Sequence, residues 1–143
     1  MQPIPYIFFQ GRCAEAIRFY AKVFDSPEPE IFSFRDMPPE AKAQMPGVPD
    51  DAVMHAGLKV GDGWIYASDD ASGQTPAMDG CNVHLSFPTV EEAHRVFEAL
   101  SEGGEVRMPC GPVFWAPAFG TCSDRFGTRW MIAADAPVGG QAR

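Results

Sequence analysis

Residues 82–104 read NVHLSFPTVEEAHRVFEALSEGG, and residues 5–25 read PYIFFQGRCAEAIRFYAKVFD. Each is a short apolar strand followed by a helix. In the later segment Thr89 and Glu92 form a Thr-x-x-Glu capping box, and Gly103-Gly104 supplies the stop. Between them Ala93, Val96, Phe97 and Leu100 recur on one stripe. In the earlier segment Cys13, Ile17, Tyr20 and Phe24 recur at helical spacing. Superposing Glu15-Ala16 on Glu92-Ala93 runs back to the strands without a gap, so Ile7 matches His84 and Phe9 matches Ser86.

The two segments have similar sequels. After the first helix, IFSFR is a strand and DAVMHAGLKVGDGWIYASD is a hairpin turning at Gly61-Asp62-Gly63. After the second, EVRMP is a strand and AFGTCSDRFGTRWMIAA is a hairpin turning between Asp124 and Gly127, where glycine accepts positive φ. Both halves therefore read β-α-β-β-β. The expected fold is α+β, with two βαβββ modules in tandem and curved mixed sheets enclosing a concave pocket. Residues 1–143 form a single domain, with module one at about 3–70, a linker at about 71–80, module two at about 81–135 and a tail at 136–143, expected to be disordered. Between the first half's strands, RDMPPEAKAQMPGVPDD is rich in proline and allows one helical turn at Glu40 to Met45. A loop of this length suits a lid, a subunit contact or a surface excursion.

A formal charge of -8 and a pI near 4.7 argue against binding to a nucleic-acid backbone. No apolar run reaches the roughly 20 residues of a membrane helix. The opening MQPIPYIFFQGRC lacks a basic region before its apolar part and does not read as a secretion signal, so the expected location is cytoplasmic. Cys13, Cys81, Cys110 and Cys122 are scattered without a Cys-x-x-Cys pair and read as reduced thiols.

Alternation along the strands sorts the candidate site residues. In NVHLSF, Val83, Leu85 and Phe87 face the helix, and Asn82, His84 and Ser86 face away. In VMHAGLKV, Met54, Ala56, Leu58 and Val60 form the apolar side, leaving His55 on the other. With the gapless superposition, Ile7, Phe9, Met131 and Ile65 or Tyr66 join the histidines on the faces distant from the helices. Trp115, beside Phe114, is positioned to cover an organic ligand. A mostly apolar surface with a few polar groups suits a small molecule, with His55 and His84 as candidate acid–base groups. Asp124 reads as a turn-former. Arg129 is open to either the pocket or water.

The opening PYIFFQGRCAEAIRFYAKVF, the central MHAGLKVGDGWIYASD and the closing FWAPAFGTCSDRFGTRWMI together resemble the PhnB-like branch of the glyoxalase/bleomycin-resistance/extradiol-dioxygenase superfamily, also called the vicinal oxygen chelate superfamily. The resemblance runs from about Pro3 to Ala134. It implies paired βαβββ modules, a homodimer, and a divalent metal held by His, Gln or Glu at four strand positions, two in each module. Those positions map to Ile7, to Ala67 or a neighbour, to His84 and to Met131. Only His84 is of ligand type, and Ile and Met do not suit a hard ion, so no standard metal is expected. PhnB-like proteins carry a 3-demethylubiquinone methyltransferase label. No glycine-rich strand-to-helix loop for a nucleotide-like methyl donor accompanies it here. The resemblance leaves open an enzyme of unassigned activity with a small-molecule pocket, a sequestering protein without catalysis, and a metal-dependent lyase, isomerase or dioxygenase with an atypical ligand set.

Overall fold

A computed structural model describes residues 1–136; the expected tail lies almost wholly outside them. The chain divides into two compact units, one ending at Pro76 and the other beginning at Ala77. Among the described residues no helix is long and apolar enough to cross a membrane.

The first unit runs β1 (Tyr6–Phe9), α1 (Cys13–Val23), β2 (Glu30–Ser33), a 3-10 turn (Phe34–Asp36), the short α2 (Pro39–Ala43), β3 (Val53–Val60) and β4 (Gly63–Asp69). Its curved sheet has the order β1-β4-β3-β2, with β1 parallel to β4 and the other pairs antiparallel. Cys13, Ala16, Ile17, Tyr20 and Val23 are buried on α1. They pack over Ile7, Phe9, Ala56, Leu58, Ile65 and Ala67, which are also buried. α1 has no side-chain cap of its own. Asp69, at the end of β4, substitutes for one: its Oδ1 accepts from the N–H groups of Gly11 and Cys13, and its Oδ2 from that of Val53.

The second unit repeats this plan: β5 (Val83–Phe87), α3 (Val90–Ser101), β6 (Glu105–Val113), β7 (Ala116–Ser123) and β8 (Arg129–Ala134), in the order β5-β8-β7-β6. Here β5 is parallel to β8. Thr89 caps α3 by accepting from the Glu92 N–H at 3.1 Å, as the sequence box implies. Ala93, Val96, Phe97 and Leu100 are buried against Ala118, Cys122, Trp130 and Ile132. Helix and sheet approach so closely that a Cβ on Gly120 would lie 2.8 Å from the Phe97 ring and 2.7 Å from the Cys110 Cα.

β6 extends beyond the expected EVRMP and makes a long hairpin with β7 through Phe114 and Trp115. Pro109 and Pro112 lack the N–H that a central strand needs, but β6 is an edge strand and its register with β7 shifts repeatedly.

The duplication is present, with a one-residue difference from the gapless superposition. Phe9 O accepts from Asp70 N, and Phe87 O accepts from Asp135 N, which makes Phe9 the counterpart of Phe87. Tyr20 and Val23 remain the counterparts of Phe97 and Leu100. The first strand–helix junction is therefore one residue longer, and Gly11 accommodates the extra residue at φ 89°. Because strand side chains alternate, that residue moves the counterpart of His84 from Ile7 to Tyr6.

Candidate functional site

The helix-distant face of the first module is aromatic. Tyr6 and Phe8 from β1, Trp64 and Tyr66 from β4, and Phe32 from β2 share it with His55 from β3, as the strand pairing requires. Tyr6, Phe8 and Phe32 are exposed at 43, 54 and 46%. His55 lies among them. Its ring meets Tyr66 edge-on at 4.9 Å and Tyr6 at 5.6 Å, and its Nδ1 is 3.1 Å from the Tyr6 hydroxyl. With the neutral imidazole protonated on Nε2, the phenol donates to Nδ1 and an N–H remains for another partner. Gly57 keeps the neighbouring ground low: a Cβ there would touch Tyr66 at 3.5 Å and Trp64 at 3.7 Å. Lys59 Nζ lies 5.7 Å from the centre of the Trp64 ring.

The corresponding face of the second module is more polar. His84 pairs with Met131, and Met131 with Thr121. One row further on are Arg129 and Ser123, which are paired, and Asn82. At the opposite end, Phe119 carries Trp115 at 5.2 Å, and Trp115 in turn meets Phe114 at 4.8 Å. Phe114 is 97% exposed and Trp115 42%, so neither belongs to the core.

His55 and Tyr66 are thus together on the first module's open face, and His84, Met131 and Trp115 share that of the second. Ile7 and Phe9 are not on such a face, and their expected placement is corrected. They are 6 and 5% exposed on the α1 side, with Phe9 against Tyr20 at 6.5 Å. The residues that replace them, Tyr6 and Phe8, were hidden by the gapless superposition. The alternation of β1 with the capping Asp69 was the signal that could have revealed them. Asp124 serves the turn: Oδ1 accepts from Phe126 N and Thr128 N, and Oδ2 from the buried Trp130 indole at 2.9 Å. A shallow groove of about 650 Å³ between α3 and β6, lined by Arg95, Phe97, Glu98 and Val106 among others, lies on the helix side of the second module and holds none of these groups.

The thiols have different environments. Burial and the nearby Asp69 push Cys13 up to about 12, and burial raises Cys110 and Cys122, while Cys81 is exposed. A thiol kept protonated is a poor nucleophile.

A model of the Glyoxalase/Bleomycin resistance protein/Dioxygenase superfamily matches residues 4–132. The chain belongs to that superfamily. It is 31% identical over 134 residues to Protein YjdN of Escherichia coli K12, covering 90% of this chain and 91% of that one. The crystal structure of protein PA1353 from Pseudomonas aeruginosa is 38% identical with a TM-score of 0.84, over 94% of this chain and 98% of that one. The PhnB protein of Bacillus cereus shares the fold at 20% identity and a TM-score of 0.74, over 94 and 99% of the two chains.

Membership raises the question of the superfamily's metal. With the corrected register, the strand positions implied by the resemblance are Tyr6 and Tyr66 in one module and His84 and Met131 in the other. Two phenols, an imidazole and a thioether do not fit a hard divalent ion, which takes carboxylate, carbonyl and water oxygens, and a thioether is a soft donor. Among the described residues no three His, Cys, Asp or Glu side chains group as ligands.

Proposed function

We propose that the protein binds a small organic molecule on the aromatic face of its first module, and does so without the divalent metal of its superfamily. The observation that carries this reading is the cluster of Tyr6, His55 and Tyr66, with rings within 4.9 to 6.3 Å of one another beside Phe8 and Trp64. Rings of this kind offer flat apolar area with polar edges, which suits a planar or unsaturated ligand. Titrating the protein with a panel of neutral aromatic compounds while following tryptophan fluorescence tests it. Binding should be lost or weakened about tenfold in Tyr66→Ala, a truncation comparable with loss of a contact hot spot. A panel that never binds, or binding indifferent to Tyr66→Ala and Tyr6→Phe, would overturn the reading.

A second reading is metal-free acid–base catalysis on the bound molecule. The Tyr6 hydroxyl at 3.1 Å from His55 Nδ1 favours it, because such a bond fixes the tautomer and presents Nε2 outward. Turnover that survives chelation and falls about 100-fold or more in His55→Ala would separate catalysis from sequestration. Homodimerisation and a cytoplasmic location belong to the same proposal. Exposed Tyr6, Phe8, Phe32, Val106 and Met108 support the first, as apolar surface to be covered. Light scattering on the purified chain and cell fractionation test the two.

A further inference from the structure

We infer that the open face of the second module contains a receptor for the oxyanion group of a small organic acid, built on Arg107 and Arg129. This goes beyond the aromatic face of the first module, and either site can fail without the other.

β6 bulges where it pairs with β7. Val106 pairs with Cys122 and Met108 with Thr121, so β6 spends one more residue than β7 over this step, and the extra residue is Arg107. Its guanidinium donates to the Ser123 hydroxyl, to the Cys122 carbonyl at 3.1 Å and to Asn82 Oδ1 at 3.1 Å. Ser123 is the cross-strand partner of Arg129, and Asn82 precedes Val83, which pairs with Trp130. Arg107 therefore reaches from β7 across to the start of β5, spanning the strand that carries Arg129. Two arginines are brought to one end of one sheet face, next to the row containing His84 and Met131.

Two cations placed together need anions. Among the described residues Arg129 faces one carboxylate, Asp79, at the limiting distance of 4.0 Å, and that side chain is 92% exposed. Arg129 itself is only 26% exposed, and its Nε is buried without a hydrogen-bond partner among the described residues. A buried guanidinium N–H left unmatched is costly, and an acceptor supplied by a ligand removes that cost. Among the described residues Arg107 is held by neutral acceptors, so these bonds orient its charge without neutralising it. Planar guanidinium forks fit the paired oxygens of carboxylate, phosphonate or phosphate. On a chain of net charge -8, a local pair of arginines also favours a small anion over a polyanion.

The test uses the full-length protein and simple anions: inorganic phosphate, methylphosphonate and acetate, titrated calorimetrically at low salt in a cationic buffer with chloride as the counterion. These probes have no aromatic part, so their binding is independent of the first module's face, and the three separate phosphorus oxyanions from carboxylates. Saturable binding of at least one is expected, with the Arg129 Nε–H resonance shifting as the site fills. Arg129→Gln should weaken binding about tenfold or more, as loss of a charged hydrogen-bond partner does. Asp79→Asn should strengthen it about two- to fivefold by removing a weak competing carboxylate. That gain is not expected if the arginines serve only to tie the strands together. Arg107→Lys, which keeps the charge and loses the fork, guards against misfolding of a harsher variant. No saturable binding below about 10 mM would overturn the proposal. So would binding that ignores both Arg129→Gln and Asp79→Asn in proteins with unchanged circular dichroism.

Discussion

Asp124 accepts from the N–H groups of Phe126 and Thr128 and from the indole of fully buried Trp130, and is itself only 4% exposed. Replacing it with alanine leaves those donors unmatched, so Asp124→Ala should lower unfolding free energy by about 3–5 kcal/mol in urea titrations, without altering the ligand faces directly. Its role as a turn residue was readable from the Asp-x-x-Gly spacing; the bond to Trp130 was not, since it depends on where β8 returns. The thiols offer a second check. Cys81 should react with a maleimide at neutral pH in the folded protein, while buried Cys13 and Cys122 react only after unfolding. Cys13 also carries a pH dependence. Its thiol ionises near 9.0 when unfolded and near 12 in the fold, so its stabilising contribution is complete below about 9 and is lost as pH rises toward 12. Melting temperature should fall through that window, and more shallowly in Cys13→Ala once its lower baseline is subtracted.

At the scale of elements, helix and sheet in the second module meet through Gly120. A methyl group there would run into the Cys110 backbone, which cannot swing aside as a side chain could. Gly120→Ala should cost about 1–3 kcal/mol in the same titrations, the usual range for overpacking. The helices, hairpins and paired modules were legible because each rests on local periodicity and turn chemistry. The far half of β6 was not, because Pro109 and Pro112 read as breakers until the strand is known to lie at an edge. Likewise the direction of Arg107 depends on a bulge, and a bulge is a relation between two strands that one strand's sequence does not show. The placing of His55 and His84 away from the helices follows from the period-two alternation of β3 and β5. The face of β1 is not legible by counting from α1, because the strand–helix junction differs by one residue between the modules.

For the molecule as a whole, superfamily membership fixes an architecture that many chemistries share, and Tyr6, Tyr66, His84 and Met131 make a poor donor set for a hard divalent ion. Purified protein should contain no stoichiometric iron, nickel, manganese or zinc by elemental analysis, before or after incubation with each metal. A 1:1 content that disappears in His84→Ala would contradict this. On light scattering the 15.6 kDa chain should run at twice its mass, and polar replacement of the exposed Tyr6 and Phe8 of β1 should move it toward the single-chain mass. The extra residue at Gly11 also has a practical bearing for anyone refitting this scaffold with a new catalyst. Donor atoms grafted into the first module belong at 6 and 66. The same grafts at 7 and 67, the choice an ungapped template would make, would drive charge into the oily seam under α1 and yield an unstable scaffold that could easily be mistaken for an inactive one.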